Sequence, residues 1–454
     1  MTTAERRAVV SLSSIMGLRM IGLFMVLPVF TLYAQQLKGA TPTLIGLAMG
    51  IYGLSQALFQ IPFGSLSDRF GRRPIILIGL LIFSAGSLIA ALSHSITLMI
   101  IGRALQGAGA VGSTILAMMA DLTREDQRTK SMAIAGITIG FSFSIAMFLG
   151  PVLTKWLSIN HLFLIAMLFG LMAIVVLYAF VPTPLALRWH RDTEPELKSF
   201  FTLLISPELA KLNSGIFILH AIFTASFVVI PIGLYQFAHL PANQQWYVYL
   251  PTLLGAFVLS LFCIGAAERQ QKLKPYFLGG IAVLAVAQIL LWNAQTNMAL
   301  TAIGLCLFFA GFSLLEAFLP SLISRTAPAA RKGTALGIYS CAQFLGIFVG
   351  GSLGGWLYGK FSFSGVYLFC IILALIWLAL TYRMQPPRYL VTQMLRLQPH
   401  HWEPIAAKLR IIPGIIEVTF IAEENIAYLK MERETVQHPD FIRLKEDLSK
   451  QLAT

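Results

Sequence analysis

Charge is scarce in this chain. Of its 454 residues only 12% are Asp, Glu, Lys or Arg, while 57% are hydrophobic and mean hydropathy is +0.76. A water-soluble globule of this size would need far more polar residues to cover its surface. Cysteine is sparse too. Cys263, Cys306, Cys341 and Cys370 all fall inside apolar runs and lack metal-ligand spacing, so neither a disulfide framework nor a metal site is expected. No glycine-rich phosphate loop ending in Gly-Lys-Ser/Thr is present, which excludes ATP as a direct energy source by that motif. No cofactor is expected, and the chain is not expected to be an enzyme.

What remains is a series of apolar blocks, each near the ~20 residues that an α-helix needs to cross a bilayer. Twelve are predicted, over 9–35, 42–67, 74–94, 97–121, 130–156, 161–182, 209–238, 244–267, 275–295, 298–324, 333–358 and 362–384. The net charge of +13 could suggest nucleic acid, but its placement decides otherwise. Basic residues crowd alternate connections, among them Arg69, Arg72, Arg73, Arg124, Arg128, Arg269, Lys272, Arg331 and Lys332, while the opposite loops offer Lys38, Lys155 and Lys360. That asymmetry is the positive-inside pattern; it predicts a multi-pass protein with both termini cytoplasmic and the lipid bilayer, not nucleic acid, as its surroundings. Arg19 interrupts the first block and no small-residue cleavage site follows, so that block reads as a retained helix rather than a signal peptide, with Arg19 expected to snorkel to the cytoplasmic surface.

The longest polar connection, "RWHRDTEPELKS" from Arg188 to Ser199, divides the spans into two sets of six. An internal repeat supports the division: "GSLSDRFGRRP" after the second span is echoed by "GAAERQQKLKP" after the eighth, and "EDQRTKSMAIAG" before the fifth by "AARKGTALGIY" before the eleventh. Duplicated halves suggest a transporter with a site between them. The expected divisions are 1–182, a cytoplasmic linker 183–208, 209–384 and a tail 389–454. In the tail, "RYLVTQMLRL", "IIEVTFIA" and "NIAYLKME" read as strands, the last two joined at Glu423-Glu424. "HWEPIAAKLRII" and the segment opened by Pro439-Asp440 read as helices. The order β-α-β-β-α predicts a small α+β ferredoxin-like domain, expected to contact the cytoplasmic face of the bundles or another protein.

Between the second and third spans, "GSLSDRFGRRPIIL" places one acid and three arginines. Asp68 stands at the C-terminal end of its helix, unfavourable for an anion against the helix dipole, so it needs a cation or a helix N-terminus. Positive-inside anchoring would account for the arginines but not for Asp68 or the glycines. Gly64, Leu66, Asp68, Arg69, Gly71, Arg72 and Arg73 match at every specified position the loop motif of the major facilitator superfamily, which the chain closely resembles over residues 8–384. The resemblance implies twelve transmembrane helices in two six-helix bundles. It also implies a latch in which Asp68 docks near Lys332-Gly333 in the outward-open state, and Arg72 bridges Asp68 to Asp121. "RALQGAGA", with Arg103, Gln106 and Gly107, is similar to the fourth-helix motif of the family's drug and proton antiporters; a snorkelling arginine is the alternative. "IGLFMVLPVF" resembles the first-helix pattern, with Phe30 in place of its last proline. The fifth span departs: it keeps Gly150-Pro151 but carries Ala146 and Thr154-Lys155 where the antiporter pattern has glycines. The eleventh carries Gly346, Gly350 and Gly354, a spacing that lets helices pack closely.

A proton-coupled carrier needs an ionisable group inside the membrane, where such groups are costly and few. Glu316 is the acid placed well inside a span, and His220 is a second candidate; either could instead serve packing or a structural hydrogen bond. Gln56, Tyr339 and Gln343 are candidates to face a substrate cavity, and the many Phe and Met residues suit an apolar one. Few central charges are visible, which argues against a strongly charged ligand. The reading is an exporter of small hydrophobic or drug-like compounds, driven by the proton motive force, with the proton as coupling ion, in a bacterial inner membrane. The alternatives are a facilitator or proton symporter of a small solute, and a membrane sensor signalling through the tail. The tail is similar in layout to heavy-metal-associated domains but contains no cysteine, and His400-His401 are read as loop residues.

Overall fold

In hydrocarbon each backbone N–H and C=O must be satisfied within its own segment, so long apolar blocks fold as helices. The computed structural model describes residues 1–182, 202–294, 297–328, 331–384, 390–396, 405, 407, 409, 411–421, 426–432, 435 and 437–444. Its helices are α1 (Thr3–Phe24), α2 (Leu27–Ala34), α3 (Pro42–Phe70), α4 (Arg72–Ala91), α5 (Ile96–Ala108), α6 (Gly112–Asp121), α7 (Glu125–Leu153), α8 (Ile159–Ala179), α9 (Pro207–Gln236), α10 (Trp246–Arg269), α11 (Leu273–Asn293), α12 (Met298–Thr326) and α13 (Lys332–Tyr382). Among the described residues, ten helical stretches are long and apolar enough to cross a membrane.

Four of the predicted spans take a different form. The block 9–35 breaks between α1 and α2, because Pro28 has no N–H for the carbonyl four residues back and its ring collides with it. The block 97–121 breaks between α5 and α6 in the glycine-rich "QGAGAVG". There Gly109 leaves helical geometry at φ −71°, ψ 51°, and a Cβ on it would collide with the Gly79 carbonyl of α4. The blocks 333–358 and 362–384 run together as α13, whose 51 residues would span about 77 Å if straight.

It is not straight: Ser362 holds φ 57°, ψ −153°. Along α9, Phe217, Ala221 and Ala225 meet Gly346, Gly350 and Gly354 in rising order. Past Ser362 the order falls, with Phe237 against Phe363, Ile222 accepting from the Cys370 thiol, and Gly215 against Trp377. The chain therefore reverses at Ser362, and α9 lies along both arms.

The first arm of α13 also lies on α3, and here backbone meets backbone. A Cβ on Gly46 would run into the Gly351 carbonyl and Gly355, one on Gly50 into the Phe348 carbonyl, and one on Gly53 into the Phe344 carbonyl. The Cys341 thiol reaches the Ala57 carbonyl at 3.8 Å. Beyond that point the helices part. Toward the end bearing Arg69 and Arg72, here called the basic end, Gly333 and Gly337 on α13, Gly136 and Gly140 on α7, and Gly265 on α10 all have open space where a side chain would stand. The packed cores agree. One joins the far end of the first half, at Met25 and Phe30, to the second half along its whole length, from Phe227 down to Phe277 and Trp377, whereas the basic end of the first half keeps its own, built from Val9, Leu12, Phe63, Ile76, Leu80 and Ile115.

The tail holds β1 (Leu390–Arg396), β2 (Ile415–Ile421) and β3 (Ile426–Glu432) in an antiparallel sheet ordered β1-β3-β2. Leu395, Ile405, Leu409, Ile412, Ala427, Leu429, Met431 and Phe441 form its core. Glu423-Glu424, His400-His401 and most of the connection 183–208 lie outside the described residues.

The seam between α3 and α13 leaves no room for added methyl groups. Gly46→Val and Gly351→Val should each destabilise the folded protein by about 1–3 kcal/mol through overpacking, read as a lower midpoint of thermal unfolding of the purified protein. Gly136→Val, at an open position, should leave the midpoint unchanged.

Candidate functional site

Polar side chains gather at three levels of the helical body. At the basic end, Gly71 turns the chain from α3 into α4 at φ 91°, a conformation side-chain-bearing residues rarely adopt. That turn sets Arg72 between two acids. Its Nη1 meets the Asp68 carboxylate one helical turn back, its Nε donates to Asp121 Oδ2 at 3.0 Å, and Nη1 also donates to Ser67 Oγ at 2.7 Å. Arg73 donates to the Val181 carbonyl and lies over Tyr178, while Arg7 donates to Ala179 at 3.0 Å, so two guanidinium groups secure the C-terminal end of α8. Gly64 approaches α6 at Ser113, and Leu66 and Arg69 are exposed. Gly333 has no neighbour within reach of a Cβ, so the structure does not bring Asp68 to it.

Inside the first half, Arg103 of α5 is buried. Its Nη1 donates to Gln106 Oε1 at 2.9 Å, its Nε points at the Ala48 carbonyl at 3.4 Å, and its guanidinium lies over the rings of Tyr52 and Phe30 at 5.4 and 5.8 Å. Gln106 in turn donates to Ser87 Oγ at 2.8 Å. Gly107 is needed for closeness, since a Cβ there would strike the Tyr52 carbonyl. Arg19 does not snorkel. It is 1% exposed, donates from Nη2 to Gln56 Oε1 at 2.6 Å, and lies 5.7 Å from the Phe83 ring centre. Helical phase overrides reach here: Arg19 shares the buried face of Met16 and Leu23, so its side chain enters the bundle. Gln56, expected at the cavity, is thereby engaged within the first half. Gly150 lets α7 touch the Met25 carbonyl at the α1–α2 break, and Pro151 follows inside the helix.

In the second half three helices converge. Gln343 of α13 spreads its amide nitrogen between His220 Nε2 of α9 at 2.9 Å and Glu316 Oε1 of α12 at 3.2 Å. His220 Nδ1 faces the Ile216 carbonyl at 3.3 Å. If Nδ1 carries the proton and donates to that carbonyl, Nε2 is free to accept from Gln343; the neutral imidazole satisfies both contacts. Glu316 Oε2 stands 3.8 Å from His220 Nε2 without a hydrogen bond, and the buried Tyr339 hydroxyl also lacks one. Glu316 is ten residues from the end of α12, about 15 Å along the axis, yet 37% of its side chain is accessible. Part of the side chain therefore faces open space, while Oε2 is buried. Phe24 and Phe143 from the first half and Phe223 and Phe312 from the second form a layer beside this group, with Phe143–Phe312 centres 5.9 Å apart and Phe312–His220 5.5 Å.

Pairing could be anticipated only in part. Tyr52 and Gln56, one turn apart on α3, mark a polar stripe that meets Arg103 of α5 and Arg19 of α1, a pairing that no local spacing in the sequence reveals.

The sequence profile of the Major Facilitator Superfamily matches residues 12–351, and again 273–416. The chain belongs to the major facilitator superfamily. Within this family of transporters it is 45% identical over 434 residues to the inner membrane transport protein YajR of Escherichia coli, covering 95% of both chains. It is 24% identical over 361 residues to the quinolone resistance protein NorA of Staphylococcus aureus, covering 77% of this chain and 89% of that one. A D-xylose–proton symporter of known structure shares the fold at a TM-score of 0.63 and 16% identity, over 84% of this chain and 98% of that one.

At the basic end of this superfamily member, Arg72 is 14% exposed, Asp68 28% and Asp121 42%, so solvent screens the cluster and its worth is modest. A double-mutant cycle of Arg72→Ala with Asp121→Ala should return a coupling of about 0.2–1 kcal/mol. Arg72→Ala alone should cost more than Asp121→Ala alone, because it leaves Asp68 facing Asp121 with no cation between them; chemical denaturation of the purified protein reads both.

Proposed function

We propose that this protein is a secondary transporter of a bacterial inner membrane, driven by the proton motive force, that exports small hydrophobic or drug-like compounds. The observation that carries the reading is the bridge Glu316–Gln343–His220, an ionisable group on each side of one amide, beside an aromatic layer drawn from both halves. Glu316 takes up and gives up a proton, and Gln343 keeps the carboxylate and imidazole in register. The quinolone resistance named for the NorA relative supports export.

In this reading the membrane part has twelve crossings. α1 with α2 form one, α5 with α6 another, and the two arms of α13 one each, in halves 1–182 and 209–384 joined by 183–208. Basic loops put both termini in the cytoplasm, so the basic end, open in this state, is the cytoplasmic one. The tail, 389–454, is a ferredoxin-like domain: β1 and β2 run parallel with β3 between them, the split βαβ arrangement. It docks on the cytoplasmic face of the bundles or on a partner protein. Asp68, released from Arg72, meets the start of α13 when the cytoplasmic side closes.

A second reading, a proton symporter, is favoured by one observation. Where the antiporter pattern places paired glycines, α7 ends at Leu153 and Thr154 folds back on the Pro151 carbonyl at 2.7 Å.

The test is internal pH in proteoliposomes under an imposed gradient while lipophilic compounds are added. Export predicts that a substrate dissipates the gradient and that Glu316→Gln abolishes the response, whereas His220→Gln only weakens it. Substrate movement with no proton movement in the unmodified protein contradicts the coupled reading.

A further inference from the structure

The burial of Arg19 changes the electrostatics of the interior. Two guanidinium groups, Arg19 at 1% exposure and Arg103 at 5%, lie within the first half, and a guanidinium stays protonated in proteins. Neither has a carboxylate partner: the acids of that half, Glu5, Asp68, Asp121, Glu125 and Asp126, stand at helix ends on the basic side. The groups that meet the two arginines are the side-chain oxygens of Gln56 and Gln106 and the Ala48 carbonyl, which carry partial charge only. Leaving a buried charge without an opposite charge is costly, so a chain that keeps two has an anion to receive.

The unused donors point the same way. Arg19 Nε and the Tyr52 hydroxyl are buried and have no hydrogen-bond partner. Tyr52 lies under the Arg103 guanidinium and reaches the boundary between the halves, where its ring meets Phe344 edge-on at 6.1 Å. Phe344 is the neighbour of Gln343, the residue that bridges Glu316 and His220. In the second half Glu316 supplies one carboxyl against the two fixed positive charges, so the interior as a whole repels a cation and attracts an anion.

We propose that the transported compound is an amphipathic organic anion, an aromatic or aliphatic carboxylate, whose charged group is taken by Arg19, Arg103 and the Tyr52 hydroxyl. This deepens the transporter reading above and rests on it. Export of such a compound is assisted by an inside-negative membrane potential, which drives anions outward.

The experiment uses the full-length protein in detergent, with binding followed by calorimetry and no gradient present. The probes are matched pairs that share a body and differ in charge: benzoate with benzylamine, and naphthoate with naphthylmethylamine. The carboxylates should bind at least about tenfold more tightly than their amine partners, and Arg19→Gln and Arg103→Gln should each weaken carboxylate binding about tenfold or more. Arg19→Lys, which keeps the charge, should recover part of the affinity and separates loss of charge from loss of fold. Amines binding as tightly as carboxylates, no carboxylate binding at millimolar concentration, or arginine variants with unaltered affinity would overturn the proposal. Because no proton gradient is used, any of those results leaves proton coupling standing. Carboxylate binding by a protein that moves no protons would instead overturn the coupled reading alone.

Discussion

Everything in the helical body depends on how closely α3 can lie on the first arm of α13. Backbone approaches backbone at Gly46, Gly50 and Gly53 on one side and Gly351 and Gly355 on the other, a contact available only to residues without Cβ. In hydrocarbon no hydrophobic effect drives helices together, so association rests on close packing and on hydrogen bonds. The seam supplies that packing at one end of the molecule and stops at Ala57 and Cys341. The far end of the first half shares one core with the second half, and the basic end of the first half keeps a separate one.

Within that frame the charged groups divide by depth. Arg72 sits near the surface between Asp68 and Asp121, where water screens each pair, so the cluster is suited to being made and broken. Arg19 and Arg103 lie where water does not reach and where polar groups are retained only with partners or a task. Glu316 lies between these extremes, deep along its helix yet with part of its side chain facing open space. In the proposed transporter the shallow charges exchange partners as it moves, and the deep ones select what it carries.

Much of the architecture could be read from the sequence, because bilayer thickness, loop charge and the spacing of the 64–73 loop each leave a local record. The strands of the tail were legible from alternation, and Arg72 could be placed among Asp68 and Asp121 from a resemblance. What escaped were properties decided between segments. Arg19 has the reach to snorkel, and only the packing of α1 on α7 and α8 turns it inward to Gln56 of α3 and Phe83 of α4. The break at Gly109 follows from how closely α4 passes, and the reversal at Ser362 from which face of α9 each arm of α13 covers. Glu316, His220 and Gln343 could each be nominated alone; their meeting needed three helices in register.

The proposed export cycle requires the two halves to rock, parting at the far end of the α3–α13 seam as they close at the basic end. The most direct measurement is double electron–electron resonance on two spin-label pairs in lipid nanodiscs, at Thr43 with Lys360 at the far end and at Phe70 with Leu336 at the basic end, all exposed positions. Comparing the unmodified protein with Glu316→Gln across a pH step, the account predicts that in the unmodified protein the far-end distance lengthens as the basic-end distance shortens, and that Glu316→Gln halts the change. Distances that stay fixed, or that grow together at both ends, would contradict it.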